Sequence, residues 1–141
     1  MVGNDIIEVS RIKKLIKEKG DKFLNKIYRI REIDYCESKG PNKYQHYAGK
    51  FAAKEAVFKA VSQFHRIYTL ETDYEILKLK DIEIFNASEG TPIVYFWNKS
   101  GVSPNSWMIL GTETNNTSFV HLSISHVKEY ALAVAWVRKL D

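Results

Sequence analysis

Gly49-Lys50-Phe51-Ala52-Ala53-Lys54-Glu55-Ala56-Val57-Phe58-Lys59-Ala60 is the stretch that decides the fold. It lies in residues 43–63, the strongest helical segment of the chain. Ala48, Ala52, Ala53, Ala56 and Ala60 favour helix there, and no Gly or Pro follows Gly49 within it. Ala48, Ala52 and Ala56 recur every four residues and make a narrow face suited to close packing. Phe51, Glu55 and Lys59 recur in the same way on an adjoining stripe. A Glu–Lys pair four residues apart is by default an ordinary surface ion pair. Here Glu55 is flanked by alanines and aromatics, and Lys54 adds a second cation beside it. One acid with two lysines is also the set that a metal-bound phosphate needs. The carboxylate takes the hard cation and the amines take spare phosphate charge. Spacing alone leaves both readings open.

Upstream, residues 2–7 read as a short strand. Within Gly3-Asn4-Asp5-Ile6-Ile7-Glu8, Asp5 sits in an apolar run, where a carboxylate is costly unless a metal, a cation or a donor compensates it. A capping or turn aspartate is an equally good reading. Ser10 is the expected N-cap of a helix with Ile12, Leu15 and Ile16 on its apolar face, which Gly20 stops. Asp21 starts a further turn with Phe23, Leu24 and Ile27. Residues 29–38 read as a short helix with Ile30, Ile33 and Tyr35 inward, and Gly40-Pro41-Asn42 as a break.

Downstream of residue 65 the pattern turns to β. Residues 74–86 alternate, Glu89-Gly90 reads as a turn, and Pro92 opens a strand over Ile93–Trp97. A short strand is placed around Trp107-Met108-Ile109-Leu110. Phe119–Ser125 and Tyr130–Val137 read as a hairpin turning near His126–Glu129. Alternation puts His121, Ser123 and Ser125 on one face and Leu122, Ile124 and His126 on the other. A Ser–His nucleophile pair is weak here, because no Gly-x-Ser-x-Gly elbow accompanies it. Helices first and strands later predict an α+β chain, with one domain over residues 1–141.

The 141 residues, 45% hydrophobic and 27% charged, describe an ordinary globular chain. No apolar run approaches the roughly 20 residues of a membrane helix, and the start lacks a signal-peptide pattern. The lone Cys36 offers neither an internal disulfide nor a metal-ligand spacing. A cytoplasmic setting without membrane association is expected. Residues 11–59 carry 14 Lys/Arg against 6 Asp/Glu, so the basic charge is concentrated in one segment. That fits either an anionic partner or a solvated helical surface. No nucleic-acid partner is expected, because the segment lacks a reading motif and regular aromatic interleaving.

The three clusters, in this order and over residues 2 to about 137, resemble the holo-[acyl-carrier-protein] synthases, the small bacterial phosphopantetheinyl transferases. That family opens with Gly-x-Asp-Ile-x-Glu and an Arg, met here by Gly3 to Glu8 and Arg11. Its central helix reads Gly-x-Phe-Ala-x-Lys-Glu-Ala-x-x-Lys-Ala, matched from Gly49 to Ala60. Its hairpin reads His-x-Ser-x-Ser-His-x-x-x-Tyr-Ala, matched from His121 to Ala131.

The resemblance implies a phosphopantetheinyl transferase fold, with N-terminal helices packed on a C-terminal antiparallel sheet. It implies an enzyme that moves the 4′-phosphopantetheine of coenzyme A onto a carrier serine. It implies Mg2+ between Asp5 and Glu55, with Lys59 steadying the phosphates as the third catalytic residue. Lys54, Lys59 and His126 are the implied coenzyme A contacts. An acidic acyl carrier protein would dock on the first helix, at Arg11, Lys14 and Lys17, with Lys13 in the same stretch. A homotrimer with sites between neighbours is also implied, with Trp97, Trp107 and Trp136 in the apolar half that could supply the interface.

The chain departs from the family at several places. Where many members carry a Gly-Thr-Gly turn after the central helix, it reads Val61-Ser62-Gln63-Phe64-His65-Arg66. That keeps open a relative that binds coenzyme A or an acidic carrier without turnover. The usual Gly-Lys-Pro turn is Gly90-Thr91-Pro92, and Arg29 stands where a helix-starting Thr is expected.

Overall fold

The structure, a computed structural model, describes residues 1–68, 77–98, 101–104, 106–108 and 117–139, with side chains at 1–67, 77–97 and 120–138. Strand β1 (Val2–Glu8) leads into helices α1 (Val9–Lys19), α2 (Asp21–Ile27) and α3 (Ile30–Glu37). A 3-10 turn at Gly40–Asn42 precedes the long helix α4 (Lys43–Tyr68). A second 3-10 turn at Leu79–Asp81 leads to β2 (Ile82–Asn86), β3 (Pro92–Asn98), β4 (Gly101–Pro104), β5 (Ser106–Met108), β6 (Thr117–His126) and β7 (Tyr130–Lys139). The strands form an antiparallel sheet ordered β1-β7-β6-β5 and a second one ordered β2-β3-β4. The chain is α+β as expected.

Helix α4 lies across the inner face of β1, β7 and β6, while α1 and α3 pack against α4. Small residues make this possible. Ala48, Ala52, Ala53, Ala56 and Ala60 of α4 are fully buried, as are Ala131, Ala133 and Ala135 of β7. Gly3 completes the seam. A Cβ on Gly3 would collide with Ala56 O and stand 2.7 Å from Ala60 N, so only glycine lets β1 approach the helix this closely. Register carries the consequence along the strand. Gly3, Asp5 and Ile7 pair with Ala135, Ala133 and Ala131, so Asp5 shares the helix-facing side of β1.

Two local expectations change. Helix α1 begins at Val9 with Glu8 in the N-cap position and no side-chain cap bond, so Ser10 lies inside the helix and does not cap it. Ile30 is 68% exposed, because the buried residues of α3 are Glu32 and Cys36. The start of α3 lacks a side-chain cap, as Arg29 in place of Thr implies: Glu32 Oε2 accepts from Arg29 N at 2.8 Å, but the Arg29 side chain accepts nothing from the first helical amides. Gly20 ends α1 with φ of 51°, and Gly90 turns between β2 and β3 with φ of 87°. The expected alternation over 74–76 and the strand continuing through Ile109 and Leu110 lie outside the described residues.

Candidate active site

The close seam between β1 and α4 decides which polar groups meet. Lys59 Nζ donates to Asp5 Oδ1 at 2.9 Å and to Asn4 O at 2.9 Å. Asp5 is 18% exposed at its side chain and Lys59 46%, so the pair opens to solvent on one side. Glu55, one turn before Lys59 on the same helix, is half-buried. Burial and then the Asp5 carboxylate raise its pKa above the ordinary glutamate value, and Lys59 opposes them. Two carboxylates 50 positions apart in sequence thus share one electrostatic site with one lysine between helix and strand.

Among the described residues, no three His, Cys, Asp or Glu side chains gather into a metal cage. Asp5 and Glu55 nevertheless suit a hard divalent ion of the Mg2+ kind. Such an ion takes one or two carboxylates and fills the rest of its shell with water and phosphate oxygens. Their mutual repulsion is what a bound cation would relieve.

Lys54 is a correction. It was expected to contact the ligand, but its side chain is wholly buried, on the side of α4 away from Asp5. Lys54 Nζ lies 2.7 Å from Glu32 Oε2 and donates to Ile27 O at 2.7 Å and Leu79 O at 3.3 Å. All three of its donor positions are used inside the protein, so none is left for a phosphate. The helical period explains the error: residues 54 and 55 are adjacent in sequence and about 100° apart around the axis. Glu32, its partner, gives little sequence signal beyond its distance of three residues from Arg29.

His126 ends β6 against the first turns of α4, where its Nδ1 is 3.2 Å from Gln45 Oε1. It is therefore at the other end of the helix's first half from Asp5. Its ring also meets His46, with centroids 5.0 Å apart. Neither Gln45 nor His46 stands out in sequence, because both are brought to His126 only by the fold. Lys50 is another buried cation of α4. It donates to Ile84 O at 2.6 Å and Asn86 Oδ1 at 2.8 Å, and burial lowers its pKa.

On α1, Arg11, Lys13, Lys14 and Lys17 are all exposed, while Ile12 is buried. Arg11 and Lys14 line an open groove of about 520 Å³ with Ile6, Glu8 and Tyr130. The groove runs on to the outer face of the larger sheet, where Val2, Ile6, Leu132, Val134 and Trp136 are all 40% exposed or more. Of the tryptophans expected near an interface, Trp136 lies on this face. Trp97 lies in the smaller sheet beneath the Arg29 guanidinium, 4.1 Å from its ring centroid, and the Trp107 side chain is outside the described residues. Beyond Lys59, α4 continues as helix through Val61–Arg66, so backbone amides there bond within the helix and offer no phosphate loop.

A helix seated on a small-residue seam, an Asp–Glu–Lys set beside it and a β-hairpin closing the sheet are the arrangement expected of a phosphopantetheinyl transferase. A family model described as the 4′-phosphopantetheinyl transferase superfamily matches residues 1–135, and the chain belongs to that family. Within it, the chain is 40% identical over 135 residues to a holo-[acyl-carrier-protein] synthase of Ruminiclostridium cellulolyticum, covering 96% of this chain and 89% of the relative. Solved structures agree. A holo-(acyl-carrier-protein) synthase of Bacillus anthracis in complex with CoA (3′,5′-ADP) is 34% identical, with a TM-score of 0.65 over 99% of this chain and 96% of that one. The Helicobacter pylori synthase in complex with coenzyme A is 27% identical, with a TM-score of 0.68 over 98% of this chain and 100% of that one.

Proposed function

We propose that the chain transfers the 4′-phosphopantetheine of coenzyme A to a serine of an apo acyl carrier protein and releases adenosine 3′,5′-bisphosphate. The observation that carries this reading is the meeting of Asp5, Glu55 and Lys59 at the β1–α4 seam of a chain in this family. In the reaction, the carrier serine oxygen forms a bond to the β-phosphorus as its hydroxyl proton is released to solvent. The bond from that phosphorus to the bridging oxygen breaks, and the bisphosphate leaves with that oxygen.

Mg2+ held by Asp5 and Glu55 would supply Lewis-acid polarisation of the pyrophosphate and neutralise its charge. Lys59 is positioned to take phosphate charge as its hold on Asp5 loosens. A compact ammonium on a flexible stem suits that exchange. His126 meets the nucleotide phosphates from the hairpin side. The exposed Arg11, Lys14 and Lys17 receive the acidic carrier, where opposite charge speeds encounter and fixes orientation.

The exposed apolar face of the larger sheet supports a homotrimer in which neighbouring copies cover it. Patches of this kind mark interaction surfaces. Sites between subunits would then unite Asp5, Glu55 and Lys59 of one copy with His126 of another. Among the described residues no helix is long and apolar enough to cross a membrane, and we place the reaction in the cytoplasm.

The test is direct. Incubated with coenzyme A, Mg2+ and an apo carrier, the protein raises the carrier's mass by one phosphopantetheine. Glu55→Gln and Asp5→Asn reduce the rate at least about a hundredfold. No mass change with several acidic carriers, from folded protein, contradicts the reading.

A further inference from the structure

His126 lies at the exposed end of β6, yet its ring is held from three sides. Gln45 Oε1 is 3.2 Å from its Nδ1. The His46 ring meets it at 65°, with centroids 5.0 Å apart. Its Cδ2 edge lies over Gly49, where a Cβ would stand 3.8 Å away. All three neighbours come from the first two turns of α4. His46 is fixed in turn by Tyr35, whose ring it meets at 78° with centroids 5.6 Å apart. Tyr35 has the ammonium groups of Lys39 and Lys50 each 4.5 Å from its centroid. A column Tyr35–His46–His126 therefore runs from α3 across α4 to the end of β6.

The chemistry of each contact is specific. An amide oxygen only accepts, so Gln45 calls for a proton on His126 Nδ1 and leaves Nε2 turned outward. An edge-to-face aromatic contact sets the plane of the ring. A surface histidine needs neither for core packing.

We propose that His46 is a positioning residue for His126, fixing its ring so that Nε2 faces the bound nucleotide phosphates. The inference rests on the proposed coenzyme A reading through the role of His126. His46 contributes shape and not charge. Burial, then His126, Lys39 and Lys50, pull its pKa down to about 4, so it is neutral at physiological pH. A phenyl ring of similar size keeps the function, and a methyl group does not.

The test is calorimetric titration of coenzyme A into the wild type, His126→Ala, His46→Ala, His46→Phe and the His46→Ala/His126→Ala double variant. Ring 15N NMR of His126 accompanies it. His46→Ala is expected to weaken binding about fivefold and His46→Phe less than about twofold. The double variant is expected to bind no more weakly than His126→Ala alone. The Nδ1–H signature of His126 is expected to persist in His46→Phe and to average between tautomers in His46→Ala. If His126→Ala weakens binding while His46→Ala binds like the wild type, positioning by His46 is overturned. Additive losses in the double variant also overturn it, because His46 would then act on the ligand itself. If His126→Ala binds like the wild type, the assigned role of His126 fails instead, and the inference falls with it.

Discussion

Lys54 Nζ lies 2.7 Å from Glu32 Oε2, and both side chains are sealed from solvent. Lys54 also reaches Ile27 O and Leu79 O, while Glu32 accepts from Arg29 N and Ile84 N. One ion pair thus ties the end of α2, the start of α3, β2 and the middle of α4. Removing one partner strands the other's charge, which costs about 3–5 kcal/mol in buried pairs. Lys54→Met is expected to lose that much in urea unfolding, with an unchanged KM for coenzyme A in the folded fraction. Lys54→Met/Glu32→Met should recover a large part of it, because neither member of the pair is then left buried without its partner. A stable Lys54→Met with a raised KM would return Lys54 to the ligand.

Gly3 carries a second prediction. An added Cβ meets helix backbone at Ala56 and Ala60, which has no flexible end to swing aside. Gly3→Ala therefore pushes β1 off α4, at an overpacking cost of about 1–3 kcal/mol. Asp5 moves with the strand and loses Lys59. Activity is expected to fall by more than the folded fraction does. Thermal unfolding beside a transfer assay at low temperature separates the two effects, and activity that tracks the folded fraction alone contradicts this link.

The helices and the hairpin were legible in sequence because each has its own period: alanines at four-residue spacing in α4, and alternation in β6 and β7. The Asp5–Glu55–Lys59 set was legible only through motif order, since each residue has a bland local reading. Lys54 was misread because its neighbour in sequence points elsewhere on the helix. Glu32, Gln45 and His46 were invisible for a different reason. Their partners lie 22, 81 and 80 positions away, and nothing in a local pattern marks a contact of that kind.

Glu55 and Lys59 set the pH response. Burial and Asp5 raise the Glu55 pKa, and Lys59 lowers it. In the proposed mechanism Glu55 must be ionised to hold the cation, so transfer is expected to fall as pH drops through that pKa. Lys59→Met removes the cation that opposes this rise, and Glu55 then keeps its proton to higher pH. The acidic limb of the kcat/KM profile is expected to move upward, apart from any loss in maximal rate. A limb that stays in place, or moves down, shows that Glu55 does not control it.

The exposed sheet face carries the last prediction. Val2, Ile6, Leu132, Val134 and Trp136 stand together on strands β1 and β7, with the His121 ring 5.5 Å from that of Trp136. Leaving these groups in water forfeits hydrophobic stabilisation that a neighbouring copy would restore. Trp136 is 48% exposed and stands among them, so Trp136→Glu places a charge on the face without touching the α4 seam. Desolvating that carboxylate in an apolar interface costs on the order of several kcal/mol per copy. Light scattering after size exclusion should show three copies for the wild type and one for the variant. Circular dichroism should be unchanged, because the substitution faces away from the core. If the catalytic site draws on a neighbour, transfer falls with assembly, and it recovers as protein concentration is raised. A variant that stays trimeric moves the interface to another surface, and a monomer with full activity shows that each chain holds a complete site.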